Sequence, residues 1–318
     1  MGELFMLSYI GRRMLIGLLT IWIIISLVFV FLRLIPGNPA EVWLGDYATP
    51  ELIKMTQAKW GLDKPLYVQY YTYLKNIVHG DLGKSLRMRF PVIKLLVRHY
   101  PFTLRLVFFG TIISILIAIP LGIAAAVHQN SYIDMIVMMF SFLFISMPAF
   151  WLGLIVLFTF SFRFGWFPSI GGESGGSVLN YLSYLVLPSI CIGLRQAGLI
   201  SRMVRSTMID TLNKEFIMVV RSKGLSEKVI HYKHALRNAL APIISLIGVT
   251  LVLSLAGAVV LEVVYSRPGL GRLYVNAVAA RDYPLIQGCI LTIAIAVVIV
   301  NILVDISYGV IDPRIRYD

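Results

Sequence analysis

The chain has 318 residues, a formal net charge of +12 at pH 7 and a mean hydropathy of +0.83. Only 14% of its residues are charged, whereas soluble domains carry about 25%, so the composition excludes an ordinary soluble protein and predicts an α-helical membrane protein. Its apolar runs are unbroken, which excludes a transmembrane β-barrel built from alternating strands of ~10 residues. The positive charge is expected to set membrane topology and to meet anionic lipid rather than nucleic acid.

The first apolar run, residues 14–32, contains 19 positions without a charge. A secretory signal has a shorter apolar core of about 7–15 residues, whereas about 20 residues span the hydrocarbon layer. We therefore predict that residues 1–35 form an N-terminal tail and an uncleaved first transmembrane helix.

A long polar insert follows at residues 36–100. Thr49, Pro50 and Glu51 have the order of an N-cap, a proline at the first helical position and an acid in the first turn. Apolar residues recur at helical spacing over 66–78. Residues 91–98 are predicted to form a separate short amphipathic piece at the membrane interface.

The insert also contains Gly83-Lys84-Ser85, which matches the end of an ATP-binding P-loop. A P-loop requires a glycine five residues before the Gly-Lys pair, and Val78 stands there. No buried strand precedes the motif, so the sequence excludes an ATP site at this position.

Five more apolar runs lie in the remaining core, residues 101–311. With the first run they predict an all-α integral membrane protein with six transmembrane helices. The five runs are residues 106–127, 135–162, 181–204, 239–261 and 285–304.

The distribution of Lys and Arg predicts the orientation of these helices. Residues 202–237 carry eight basic against three acidic residues, as is typical of cytoplasmic loops. The insert region from Arg33 to Arg105 carries eleven basic residues, but loops beyond about 60 residues translocate largely regardless of charge. We therefore expect an extracytoplasmic insert, a cytoplasmic segment at 205–237, and cytoplasmic termini that include the tail 312–318.

Four stretches, in register along the chain, carry a family resemblance. The first reads E-F-I-M-V-V-R-S-K-G-L-S from Glu215 and continues to H-A-L-R-N-A at Ala239. The others lie at 61–85, 267–288 and 311–317. With these motifs the chain resembles ABC-importer permeases of the dipeptide, oligopeptide, glutathione and nickel family, in the first-permease form similar to dipeptide permease B. It departs at residues 218–220, where Met-Val-Val replaces the usual Arg-Thr-Ala.

The resemblance implies a type I ABC importer permease fold and a non-catalytic subunit in a bacterial inner membrane. It also implies a homologous second permease, two cytoplasmic ATPase subunits and an extracytoplasmic substrate-binding protein. ATP and Mg would be bound by the ATPases, and neither a cofactor nor a metal by this chain. The implied substrate is a short peptide, with glutathione, nickel or another small solute as alternatives.

The segment around Glu215 can be interpreted without the family, as a cytoplasmic lever that receives force from an ATPase. Its apolar side chains would face a partner's groove, its cations would pair with acids at the rim, and Gly224 would permit a sharp turn. The alternative is a basic loop that only fixes orientation. The predicted coupling residues are Glu215, Phe216, Ile217, Val220, Arg221, Lys223 and Gly224.

Arg195 and Gln196 lie well inside the fourth run and are candidates for the translocation path. A charge at this depth costs about 2.5–3.5 kcal/mol on insertion scales, so it normally faces protein or a cavity. Arg195 could meet a substrate carboxylate, or it could have a structural role.

Two other classes of protein fit the sequence less well. An ion-coupled secondary transporter would be expected to carry acids or polar breaks in mid-span, and the first, second, third and fifth runs contain no charged residue. An intramembrane enzyme would need a nucleophile with its base, or a set of metal ligands, and the sequence shows neither.

Overall fold

The computed structural model describes residues 2–34, 37–171 and 177–311, so the predicted tail at 312–318 lies outside the described residues. Those residues form helices and contain no strand, only an isolated bridge between Lys84 and Pro91. The α-helices are α1 (Gly2–Leu34), α2 (Pro39–Leu44), α3 (Pro50–Trp60), α4 (Leu66–Val78), α5 (Val92–Val127), α6 (Tyr132–Ser146), α7 (Ala149–Leu157), α8 (Val178–Leu212), α9 (Glu215–Ser222), α10 (Glu227–Val229), α11 (Leu236–Val264), α12 (Leu270–Ala279) and α13 (Tyr283–Ile311). A 3₁₀ turn follows α2 at Gly45–Tyr47, and π-helical turns follow α7 at Phe158–Arg163 and α10 at Ile230–Ala235.

Five helical segments of the described chain are long and apolar enough to cross a membrane. They match the first, second, fourth, fifth and sixth apolar runs and extend beyond them. Their bounds are Gly11–Leu34, Val92–Val127, Leu179–Leu212, Glu227–Val264 and Tyr283–Ser307. The predicted all-α membrane fold is therefore confirmed.

The third apolar run does not form one straight helix, although the sequence predicted a single transmembrane helix there. It forms α6 and α7, which meet at an angle of 104° across a break at Met147 and Pro148. A residue before proline is driven out of the helical region, and Met147 has an extended backbone with φ −72° and ψ 128°. Counting this bent pair as one span gives six spans.

The prediction of a separate interfacial piece at residues 91–98 is also wrong. Helix α5 begins at Val92 and runs without interruption to Val127. Pro101 lies inside this helix, where it lacks one backbone N–H donor but does not end the helix.

Contacts divide the chain into two units. Unit 1 contains residues 1–9, 103–268 and 299–318, and unit 2 contains residues 10–102 and 269–298. In unit 2 the insert packs with parts of α1, α5, α12 and α13 around a core of Leu32, Val92, Leu95, Leu96, Leu270, Leu273, Ala277, Tyr283, Leu285, Ile286 and Cys289. The N-cap predicted at Thr49 is confirmed, since its hydroxyl accepts a hydrogen bond from the backbone N–H of Leu52.

Unit 1 contains a core to which α5, α8, α9, the π-helical turn after α10, and α11 all contribute. Close helix contact depends on glycine here, because a Cβ added to Gly122 of α5 would lie 2.5 Å from the Cβ of Val204 in α8. Interfaces between membrane helices are enriched in such small residues. The buried residues are Ala118, Ile123, Ala126, Ala197, Ile200, Val204, Met208, Ile217, Ile230, Ala235, Ala239 and Ile243.

Candidate functional site

Helix α9 is a two-turn helix within the basic segment 205–237. Lys214 precedes it in an extended conformation, and Glu215 places a negative charge in its first turn, where it complements the helix dipole. Arg221 places a positive charge in the last turn. The local charges therefore favour a helix at this position.

One predicted coupling residue points into the protein. Ile217 is only 1% exposed and belongs to the core of unit 1, while Phe216 and Val220 pack half-buried against the same core. The prediction that Ile217 faces a partner's groove is therefore wrong. It anchors α9 to its own chain, because burying a side chain such as isoleucine contributes about 1.5–3 kcal/mol.

The exposed face of α9 carries other residues, which the sequence analysis had noted only as departures from the family pattern. The side chain of Met218 is 73% exposed and that of Val219 is 55% exposed. Lys223 and Lys228 are exposed close by in the chain. This surface is therefore apolar with basic neighbours. The amphipathic pattern of α9 does not say which apolar residues the chain's own core covers, so the sequence alone did not single out Met218 and Val219.

Arg221 makes an ion pair within the segment. Its Nε lies 2.7 Å from Oε1 of Glu227, and its Nη2 lies 3.0 Å from Oε2. This side-chain hydrogen bonding raises the pKa of Arg221 above its ordinary value. Both partners are exposed, and exposed ion pairs contribute little to stability, so this contact does little to hold the segment in place.

The chain turns sharply after α9 at Gly224. Gly224 has φ +75°, and its N–H donates to the carbonyl oxygen of Arg221 at 3.0 Å. Glycine adopts this left-handed conformation without strain, whereas other residues rarely do. The predicted change of direction is confirmed.

Arg195 and Gln196, the other predicted site residues, line one cavity of about 270 Å³ in unit 1. The side chain of Gln196 is 5% exposed, and its Nε2 donates to the carbonyl oxygen of Thr250 at 3.1 Å. Its Oε1 and the Nε of Arg195 are buried without a hydrogen-bond partner among the described residues. The structure thus brings these two polar groups together in a chamber between helices.

Gly257 also lines this cavity. A glycine inside a membrane helix often marks close packing against another helix. A Cβ added to Gly257 would meet nothing within 4 Å, so within the described chain it borders open space and not a neighbouring helix.

An ion pair between α6 and α8 escaped the sequence analysis. The carboxylate of Asp134 is buried, and its two oxygens accept hydrogen bonds from Nε and Nη2 of Arg205 at 2.5 and 2.6 Å. The two residues are 71 positions apart, so no local pattern reveals their contact. The only signal in the sequence was a single acid directly before the third apolar run, residues 135–162.

No group of three or more His, Cys, Asp or Glu side chains is arranged to hold a metal ion in the part of the chain that the structure describes.

Two family models together match most of this chain. The model described as "Binding-protein-dependent transport system inner membrane component" matches residues 118–317. The model described as "Binding-prot-dependent transport system membrane comp, N-term" matches residues 6–107.

Several curated relatives match over 98% of this chain and 100% of their own length. A Brucella suis biovar 1 protein assigned to a peptide transport system as its permease is 38% identical over 314 residues. The dipeptide transport system permease protein DppB of Alkalihalophilus pseudofirmus is 36% identical over 334 residues. The glutathione transport system permease protein GsiC of Salmonella choleraesuis is 36% identical over 312 residues.

A solved structure supports the fold. A chain of the MetNI methionine ABC transporter, in an inward facing conformation, matches with a TM-score of 0.56 and 19% identity, covering 69% of this chain and 96% of that one. ATP hydrolysis in such transporters belongs to separate subunits, so this chain is not an enzyme. It belongs to the family of binding-protein-dependent transport system inner membrane components and is a permease subunit of a type I ABC importer.

Proposed function

We propose that this chain forms half of the translocation path of an ATP-driven importer of short peptides in a bacterial inner membrane. A homologous second permease forms the other half. Two ATPase subunits bind ATP and Mg, and an extracytoplasmic binding protein delivers the substrate. The family description and the names of the peptide and dipeptide relatives support this assignment.

The observation that carries the proposal is the construction of the basic segment. Ile217 fixes α9 to a core built from the membrane helices α5, α8 and α11. Met218 and Val219 remain exposed on the opposite side. A force applied to the exposed face therefore reaches the membrane helices through Ile217. An apolar helix face of this kind fits a groove on a partner protein, and here the partner is the ATPase.

This role requires the basic segment to lie in the cytoplasm and the insert outside. The positive charge of residues 202–237 supports that orientation. ATP binding would draw the two ATPases together and move α9. The permease pair would then change between inward-facing and outward-facing arrangements as rigid bodies, with Arg195 and Gln196 lining the path.

Glutathione is the second candidate substrate, because one relative of similar identity is named as a glutathione permease. Glutathione is itself a tripeptide with two carboxylates, so the same path can suit both substrates. The choice between them depends on the binding protein as well as on this chain.

The test is uptake by the complete complex in proteoliposomes that contain ATP. We expect uptake of labelled dipeptide that requires both ATP and the binding protein, and no uptake driven by an imposed proton or sodium gradient. Labelled glutathione is compared in parallel. Uptake driven by an ion gradient without ATP would contradict the proposal and support a secondary transporter.

A further inference from the structure

The residues that line the cavity at Arg195 favour a particular kind of ligand. It lies between α6, α7, α8 and α11, entirely within unit 1, and no acidic side chain lines it. Apart from Arg195, Gln196, Thr250 and Ser254, its lining is apolar or carries only the thiol of Cys191. Among the described residues that line this mainly apolar cavity, Arg195 is thus the only charged one, and it lies at membrane depth.

Among the described residues, no side chain offsets the charge of Arg195. Its side chain makes no hydrogen bond or ion pair with any of them, and its Nε is buried. An intramembrane cation is costly unless it meets an anion, protein dipoles or water. The nearest acid along α11 is Glu262, whose carboxylate already accepts a hydrogen bond from Thr103 at 2.5 Å.

Gln196 gives an independent indication that the cavity holds a polar ligand. Its side chain is 5% exposed, and its amide is oriented by the hydrogen bond that Nε2 donates to Thr250. The same bond leaves Oε1 buried as an unused acceptor. Buried acceptors are normally satisfied, so Oε1 is suited to a donor that arrives with the substrate.

We propose that this cavity binds the C-terminal end of the transported peptide. The guanidinium of Arg195 would receive the free carboxylate, and Oε1 of Gln196 would accept a hydrogen bond from a peptide N–H. This inference rests on the proposed function, and it turns the carboxylate contact expected for Arg195 into a defined subsite with a second recognition group at Gln196. A guanidinium is matched to a carboxylate because its planar fork can donate two parallel hydrogen bonds.

The size of the cavity agrees with a subsite for one end of a peptide. Its volume of about 270 Å³ is just below the range of about 300–1,000 Å³ that is typical of pockets for complete small ligands. The backbone of Gly257 borders open space. The wall of the cavity at Gly257 therefore does not enclose a side chain of the peptide.

The experiment compares uptake of labelled dialanine with uptake of dialanine carrying a C-terminal amide. Both probes are tested on the complete reconstituted complex, with wild type and Arg195→Gln. The binding protein's own preference enters both measurements equally and cancels when the two free-to-amide ratios are divided. Arg202→Gln is the matched control, since Arg202 lies two turns further along α8 and is exposed.

We expect Arg195→Gln to lower the free-to-amide ratio roughly tenfold, the amount expected for one hydrogen bond to a charged group. Arg202→Gln should keep the wild-type ratio. Arg195→Lys keeps the charge but loses the planar fork, so its free-to-amide ratio should fall between that of wild type and that of Arg195→Gln. If Arg195→Gln does not assemble at matched levels, the Arg195→Lys ratio decides, and a wild-type value there would overturn the proposal.

An unchanged ratio in Arg195→Gln would also overturn the subsite, as would equal uptake of the two probes by wild type. If loaded binding protein stimulates ATP hydrolysis but neither probe enters, the subsite is wrong and the importer assignment stands. If wild-type ATP hydrolysis does not respond to loaded binding protein, the proposed function itself has failed.

Discussion

Replacing Gly224 with valine should uncouple the ATPases from the binding protein, so that stimulated ATP hydrolysis and uptake both fall. The backbone at Gly224 has φ +75°, and a Cβ added there would meet no atom within 4 Å. The substitution therefore creates no clash, and its effect comes from the backbone alone. A β-branched residue at positive φ is a conformational outlier.

The expected strain is about 1–3 kcal/mol, the cost of a residue held in a sparsely populated backbone region. Since 1.4 kcal/mol corresponds to a factor of ten, the native turn would be disfavoured about 5- to 150-fold. The turn also brings Arg221 to Glu227 across Gly224, so this ion pair should be lost with it. Helix α9 would keep its anchor at Ile217, but the chain after Gly224 would leave it in another direction.

The assay measures uptake and ATP hydrolysis in proteoliposomes at matched levels of complex, with and without loaded binding protein. We expect at least a fivefold loss of stimulated hydrolysis and of uptake, while the complex still assembles. Gly165→Val is the control, because Gly165 has φ +65° and equally open surroundings but lies outside the basic segment. It should retain near wild-type stimulation.

Normal uptake in Gly224→Val at matched levels would refute the reasoning. So would an equal loss in Gly165→Val, because the effect would then be general destabilisation. A selective failure of membrane insertion in Gly224→Val would assign the segment to folding rather than to force transmission.

Three further predictions concern topology and packing. Cysteines introduced at Lys75 and Lys228 should react with impermeant thiol reagents from opposite sides of the membrane, and labelling of both from one side would contradict the orientation. Gly122→Ala should destabilise the complex by about 1–3 kcal/mol through overpacking against α8, seen as a lower thermal midpoint, whereas Gly11→Ala, with nothing within 4 Å, should not. Ile217→Ala should cost about 2–5 kcal/mol and reduce the amount of assembled complex, and an unchanged amount would show that Ile217 is no anchor.

The long helices could be predicted because membrane spanning imposes a length and an absence of charge that the sequence shows directly. The turn at Gly224 could be predicted because glycine is the residue that adopts positive φ without strain. The 104° angle between α6 and α7 could not, since Pro148 indicates a break while the direction of α7 depends on its packing.

The orientation of α9 also lay beyond the sequence. An amphipathic pattern identifies an apolar stripe but does not say whether the chain's own core or another subunit covers it. Ile217 is covered by its own chain, and the apolar side chains that α9 leaves exposed are those of Met218 and Val219. The pair of Asp134 and Arg205 was hidden for a related reason, because only the packing of α6 on α8 brings the two residues together.

Photo-cross-linking from the exposed face of α9 shows directly whether this face binds the ATPase subunit. A benzoylphenylalanine is placed at Met218, and the control carries it at Leu179, which is also exposed and is expected on the other side of the membrane. In the assembled complex we expect Met218 to cross-link to the ATPase subunit, with a yield that changes when ATP is bound, and Leu179 to give no such product. A complex that transports substrate but yields no ATPase cross-link from Met218, or equal yields from both positions, would contradict the account.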